Sequence, residues 1–356
     1  MTNKENDYPI LIVGPCAAEN EEQVYNTASQ LSTFLNKETF STLFFRAGAW
    51  KPRSEPKSFE GVGEIALGWL QNVKNKFNLK ICTEVARAEH VIACQKFDFD
   101  AYWIGARTTV NPFLVEEIAQ TIEDKNKIIL IKNPISPDLK LWIGAIERFQ
   151  KAGFTNIIAV HRGFASQSEC VYRNAPYWEI PVALRLNFPN LPIICDASHL
   201  AGVKNLIENV AQTALNYGFN GLMLEVHENP ELALSDAQQQ ITPQEFKFLL
   251  NNLNFKIQNN SEAENKLLVY RNKISAIDAQ IANLLAQRMN AVDEITEIKK
   301  NNNIPLLQPG QWSKVVEIYN AEKLPDEQFT QFLNRFLTLL HNSSLERQQN
   351  KINIHE

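Results

Sequence analysis

The sequence predicts an α/β protein: a (β/α)8 TIM barrel followed by a small all-α domain of one long helix and two shorter ones. Three observations carry this expectation. Short apolar runs alternate with helical patterns from residue 8 to about residue 225. There are eight such runs, and eight βα units over roughly 250 residues suit a closed barrel better than an open sheet. Beyond residue 257 the composition changes, and neither Gly nor Pro occurs from Ser261 to Ile304.

The strands are expected at "PILIVG" (9–14), "STLFFR" (41–46), "LKICTE" (79–84), "AYWIG" (101–105), "KIILIK" (127–132), "NIIAVH" (156–161), "LPIICD" (191–196) and "GLMLEV" (221–226). Near-continuous apolar strands separated by helical segments such as "EEQVYNTASQLSTFLNK" and "PFLVEEIAQTIED" indicate a parallel sheet covered by helices. The barrel is assigned to residues 1–257, a polar linker to 258–265 and the helical domain to 266–356. Ser261-x-x-Glu264 reads as a capping box. Ile274, Ile277, Ile281, Leu284, Leu285, Val292, Ile295 and Ile298 then recur at helical spacing. A helix of about 40 residues would be roughly 60 Å long, too long for one small domain to cover. Pairing with a second copy, a homodimer through the helical domain, is therefore expected. Pro305, Pro309 and Gly310 break the helix, and Pro325-Asp326 opens another helical pattern.

Hydrophobic residues make up 44% of the 356-residue chain and charged residues 21%, an ordinary globular mixture. The formal net charge of −5 argues against nucleic acid or an anionic membrane as partner. No apolar run approaches the roughly 20 residues of a membrane span, and "MTNKENDYPI" has no apolar signal region. Cys16, Cys82, Cys94, Cys170 and Cys195 show no paired spacing, so a reducing cytoplasm is expected.

In a (β/α)8 barrel the chemistry sits at the C-terminal strand ends. Here they read "GPCAAE", "RAGAWKPRS", "TEV", "GARTT", "KNPIS", "HRGF", "DASH" and "EVH". Two populations share this rim. Arg46, Lys51, Arg53, Arg107, Lys132 and Arg162 are cations that would repel one another unless anions neutralise them, which implies substrates carrying several negative charges. Cys16, His199, Glu225 and Asp236 form a mixed S/N/O set suited to a divalent transition metal, Mn²⁺, Fe²⁺, Zn²⁺ or Co²⁺. His227 rivals His199 for the imidazole, since alternation would place Glu225 and His227 on one face of a continued strand.

"GPCAAE", "RAGAWKPRS", "GARTT", "DASHLAG" and "EVHENPELALSD" closely resemble the 3-deoxy-D-arabino-heptulosonate 7-phosphate (DAHP) synthases, over about residues 8–255. The resemblance implies a metal-dependent condensation of phosphoenolpyruvate with erythrose 4-phosphate. It implies Cys16, His199, Glu225 and Asp236 as metal ligands, favouring His199 over His227. Arg46, Lys51, Arg107, Lys132 and Arg162 would hold phosphoenolpyruvate, Arg53 and Ser54 the erythrose phosphate, and Lys51 would deliver the proton to the new alkoxide. "VHRGF" departs from the family's Cys-x-Arg-Gly but keeps the arginine. The sister synthase making 3-deoxy-D-manno-octulosonate 8-phosphate typically has Lys-Ala-Asn where this chain has "KPRS", and is the less favoured reading.

"YRNKISAIDAQIANLLAQRMNAVDEITEIKK" and "HNSSLERQ" resemble the all-helical chorismate mutases. The matching positions are Arg271, Arg288, Lys299, Ser344 and Gln348, which the resemblance implies as chorismate-binding. Arg288 and Lys299 fall roughly 20° apart on the helix, and Arg271 about 100° from Arg288, as the family requires of an arginine that reaches a partner subunit's site. Gln311 and Trp312 stand where arginine and glutamate are usual. Both activities are expected; the alternative is a synthase whose helical domain only dimerises and senses chorismate or prephenate. With strand one beginning near residue 9, feedback control is expected to run through the C-terminal segment.

Overall fold

The computed structural model describes residues 9–52, 57–166, 170–255, 261–307 and 326–353. The chain forms two compact units, Met1–Gln258 and Asn259–Glu356. The first is a closed parallel barrel, β1-β2-β3-β4-β5-β6-β7-β8. Its strands are β1 (Ile10–Gly14), β2 (Thr42–Arg46), β3 (Lys80–Glu84), β4 (Ala101–Ile104), β5 (Ile128–Lys132), β6 (Ile157–His161), β7 (Ile193–Asp196) and β8 (Gly221–Glu225). Each lies within two residues of its expected bounds. β8 closes on β1 with Gly14 opposite Glu225.

Alternation along the strands builds two cores. One face of each strand packs on the helices, as Leu11, Phe45, Tyr102 and Ile131 do. The other fills the interior with Ile12, Phe44, Cys82, Trp103, Leu130, Val160 and Met223. Local signals set the covering helices. Asn20 caps Glu21–Ser32 through Gln23 N at 2.9 Å, and Thr242 forms a capping box with Glu245 ahead of Pro243–Asn252. At the N-terminal rim, Lys74 meets Asp98 at 2.7 Å and Asp100 at 2.9 Å. The second oxygen of Asp100 accepts from Ile81 N at 2.8 Å.

The second unit contains a helix at Ser261–Asn301 of 41 residues and another at Glu327–Asn353. The first begins inside the stretch expected to be linker, and Ser261 is its first residue rather than its cap. Asp326 starts the second, accepting from Phe329 N at 2.7 Å. Arg347 joins the two helices through Asp293, at 2.7 and 2.8 Å. The intervening expected helix, with Gln311 and Trp312, lies outside the described residues. Ile274, Ile277, Ile281, Leu284, Ile295 and Ile298 are exposed on the long helix.

No helix among the described residues is long and apolar enough to cross a membrane. The five cysteines are free, with Cys170 exposed and the others buried.

Candidate active site at the barrel mouth

The open mouth is lined by Lys51, Pro52, Glu84, Gly105, Ala106, Arg107, Lys132, Arg162, Arg173, His199 and Asp236. These come from seven of the eight strand ends or the loops beyond them, as a parallel barrel requires. Cys16, Arg46 and Glu225 are fully buried behind the liners. Gly14 makes this arrangement possible: its φ is +148°, and a Cβ there would fall 2.2 Å from the Arg46 carbonyl. The turn to Cys16 can therefore press against the end of β2.

Arg46 donates from Nη2 to Cys16 O at 2.8 Å, and its Nη1 lies 3.2 Å from Glu225 Oε1. Neither that nitrogen, nor Nε, nor Glu225 Oε1 makes a hydrogen bond, so the close approach is not aligned for donation. Lys51 Nζ reaches Cys16 Sγ at 3.0 Å and Cys16 O at 3.2 Å. Burial would lower the Lys51 pKa, but Cys16 and Glu225 outweigh it and hold it raised. Lys132 pairs with Asp196 Oδ2 at 2.7 Å. Arg162 is brought down to about 10 by burial, with Arg173 and Arg107 adding repulsion against the pull of Asp196. Its backbone N–H donates to buried Asn133 at 2.7 Å, and its side chain donates to Asn174 at 2.8 Å. Arg107 sits on the short helix Ala106–Thr109, whose Thr109 hydroxyl donates to Lys132 O at 2.9 Å. The fold thus brings five expected cations together, Arg46, Lys51, Arg107, Lys132 and Arg162; Arg53 and Ser54 lie outside the described residues.

The four candidate metal donors stand as two pairs: Cys16 Sγ with Asp236 Oδ2 at 3.2 Å, and His199 Nδ1 with Glu225 Oε1 at 3.6 Å. Among the described residues no three His, Cys, Asp or Glu side chains already form a ready metal shell. The donor chemistry nonetheless fits a divalent transition metal. Glu225 Oε1 is a buried carboxylate oxygen left without a hydrogen bond. Asp196 accepts from the His199 backbone N–H at 3.2 Å and sets its other oxygen 2.9 Å from Nδ1, not aligned for a hydrogen bond; metal-binding imidazoles usually have such a carboxylate beside them. Burial, with Glu225 adding, pushes the Cys16 thiol up to about 12; a bound cation would offset that cost of forming the thiolate. Asp236 adopts φ +51°, a left-handed conformation that Asp tolerates.

His227 does not join this cluster. β8 stops at Glu225, and His227 is buried with Nδ1 accepting from Asn229 N at 2.9 Å and Nε2 3.7 Å from Glu19. Sequence reasoning missed Glu84, Asp196, Arg173 and Gln239. Asp196 stood in view within "DASH"; Arg173 and Gln239 lie in loops away from any strand end. Arg173 donates to Asp236 Oδ1 at 2.8 Å and to Gln239 Oε1 at 2.7 Å. Gln239 in turn donates to Glu225 Oε2 at 2.6 Å, linking the two pairs.

In the helical unit, Arg288 donates to Ser344 Oγ at 2.7 Å, and Lys299 donates to Leu306 O. Gln348 is buried one turn beyond Ser344, with its Oε1 unpartnered. Arg271 is exposed and lies about 26 Å from Arg288 along the helix axis at 1.5 Å per residue. The structure therefore gathers Arg288, Ser344 and Gln348, with Lys299 three turns further along the same helix face, and leaves Arg271 apart from them.

The model of the DAHP synthetase I family matches residues 2–259, and that of chorismate mutase type II matches residues 270–349. A phospho-2-dehydro-3-deoxyheptonate aldolase from Thermotoga maritima is 30% identical over 245 residues, 69% of this chain and 69% of that protein. A 2-dehydro-3-deoxyphosphooctonate aldolase from Geobacter sulfurreducens is 26% identical over 261 residues, 68% of this chain and 90% of that one. The crystal structure of the Thermotoga maritima DAHP synthase superposes with a TM-score of 0.61 at 30% identity, covering 69% of this chain and 68% of that one. A truncated form of the Thermotoga enzyme gives a TM-score of 0.59 at 28% identity, covering 69% and 85%.

Proposed function

The chain belongs to the DAHP synthetase I family and ends in a type II chorismate mutase domain, and from this premise we propose that it works at two steps of the shikimate pathway. The barrel joins phosphoenolpyruvate, erythrose 4-phosphate and water to give DAHP and inorganic phosphate. The helical domain rearranges chorismate to prephenate. The observation that supports the first reading best is the convergence of Arg46, Lys51, Arg107, Lys132 and Arg162 beside the Cys16, His199, Glu225 and Asp236 donors.

In this reading the cations draw two mutually repelling anions into one mouth and hold them in reacting geometry. Arg46 keeps Nε and Nη1 free of hydrogen bonds, two donors for a carboxylate or phosphate oxygen. C3 of phosphoenolpyruvate bonds to the aldehyde carbon, water adds at C2, and phosphate departs with cleavage of the C2–O bond. Lys51, held charged beside Cys16 and Glu225, supplies the proton to the new alkoxide. Cys16, His199, Glu225 and Asp236 would hold a divalent metal, Mn²⁺, Fe²⁺, Zn²⁺ or Co²⁺, which when bound supplies Lewis-acid polarisation of the aldehyde.

In the helical domain, Arg288 grips a chorismate carboxylate, Lys299 and Gln348 address the ether oxygen, and Ser344 orients Arg288. Arg271 serves the site of a second copy, which covers the exposed apolar face of the long helix. The rearrangement needs placement of charge and no nucleophile. The cytoplasm is the compartment that suits five free thiols.

The test is consumption of phosphoenolpyruvate by the metal-loaded protein with erythrose 4-phosphate, against arabinose 5-phosphate, alongside loss of chorismate absorbance. Turnover with the five-carbon sugar alone would overturn the synthase reading in favour of the octulosonate one. A second reading of the helical domain, as a dimerising sensor, rests on Gln311 and Trp312. It predicts no chorismate loss in the native protein and its appearance in Gln311→Arg.

A further inference from the structure

Trp103 has no role in the chemistry described so far, although it occupies the centre of the barrel. It is the third residue of β4, 1% exposed, and belongs to the interior core. Its ring faces both innermost cations: Arg46 Cζ lies 4.6 Å from the ring centroid and Lys132 Nζ lies 5.8 Å from it. The indole Nε1 is buried without a hydrogen-bond partner, whereas buried tryptophans usually find one. The donor is idle, and the face of the ring is what the neighbours use.

Lys132 is already tied to Asp196 at 2.7 Å, but Arg46 has little else to fix it. Arg46 is held from the side by Cys16 O at 2.8 Å, while Nε and Nη1 make no hydrogen bond. A carboxylate aligned with the guanidinium would fix it but would occupy its donors; Glu225, 3.2 Å from Nη1, is not aligned to accept from it. A π face attracts the cation through the ring quadrupole and leaves both donors and charge free for a ligand. An aliphatic side chain of the same bulk would leave the donors free but would not attract the cation.

We propose that Trp103 is a positioning residue for the phosphoenolpyruvate subsite, its ring holding Arg46 in place beside Lys132 while leaving the Arg46 Nε and Nη1 donors for an anionic group of the substrate. This inference deepens the functional reading above and rests on it. It concerns one substrate only, because erythrose phosphate binding is assigned to other residues.

Steady-state kinetics of full-length, metal-loaded Trp103→Leu and Trp103→Phe test it. In Trp103→Leu the KM for phosphoenolpyruvate should rise by about 3- to 30-fold, the range a desolvated cation–π contact commands. The KM for erythrose 4-phosphate and kcat should change far less. Trp103→Phe, which keeps a π face and loses the idle N–H, should restore most of the affinity. If the leucine variant does not fold, global replacement of tryptophan by mono-, di- and trifluorotryptophan weakens the quadrupole with little change of size. The KM for phosphoenolpyruvate should then climb with fluorine number in the native sequence and stay flat in Trp103→Phe. Equal damage from Leu and Phe, a parallel rise in both KM values, or indifference to fluorine would each overturn the proposal while leaving the synthase reading intact. A native protein that fails to consume phosphoenolpyruvate with erythrose 4-phosphate would overturn both.

Discussion

Lys132 and Asp196 form a buried ion pair, Nζ to Oδ2 at 2.7 Å, and the same carboxylate oxygen lies 2.9 Å from His199 Nδ1. One aspartate therefore fixes a candidate substrate cation and a candidate metal ligand together. Asp196→Asn should weaken divalent-metal affinity by about 10- to 100-fold, as loss of an orienting partner does. It should also lower stability by roughly 3–5 kcal/mol, because the buried lysine loses its counter-charge. Chelator competition and urea unfolding measure the two effects; unchanged metal affinity would sink the orienting role.

The Cys16 thiol, raised to about 12 by burial and by Glu225, is protonated at neutral pH. If it ligates the metal, binding must expel its proton. Adding Co²⁺ to metal-free protein in weak buffer near pH 7 should release about one proton per site and produce a thiolate-to-cobalt absorption band. Cys16→Ser should lose the band, and a band that survives the substitution would exclude Cys16 as a ligand.

His161 ends β6 with its ring buried among Trp142, Phe164, Trp178 and Phe219. Burial, reinforced by Arg162, lowers its pKa from 6.5 to about 3. The unfolded chain thus binds a proton that the folded chain refuses between those values. Its contribution is fully present above about pH 6.5 and is lost as pH falls towards 3. His161→Phe should reduce the slope of unfolding free energy against pH by up to about 1.4 kcal/mol per pH unit inside that window. Urea titrations at several pH values measure the slope; an identical slope in the variant would show that the imidazole titrates elsewhere.

Arg288 and Ser344 are bonded across the two described helices of the second unit at 2.7 Å. Arg288→Ala should cut chorismate turnover by about 100-fold or more, the scale of losing a charged contact to a developing charge. Phosphoenolpyruvate consumption should remain within about twofold, since Arg288 belongs to the other compact unit. Following both reactions in one preparation separates the outcomes, and mutase activity that survives would place the site elsewhere.

Much of the barrel was legible because its strands announce themselves. Runs such as Ile128–Lys132 are apolar on both faces, so each strand and its polar end could be read directly, and the ends had to share a rim. The side chains behind the rim were harder. Gln239 and Arg173 reach the site from loops, and a loop carries no period that says where its residues point. The choice between His199 and His227 turned on where β8 stops, a difference of two residues. The placement of Trp103 under Arg46 was hidden for another reason: a tryptophan in an apolar strand reads as core, and alternation gives its side of the sheet but not its neighbours.

The N-terminal rim, where Lys74 gathers Asp98 and Asp100, carries none of the described candidate site residues of the barrel. Its ion pairs can be rewritten while the opposite rim stays fixed. A descendant of this chain could thus adapt to a hotter or saltier habitat through one end of the molecule and retain its substrates at the other, the two ends evolving under separate selection.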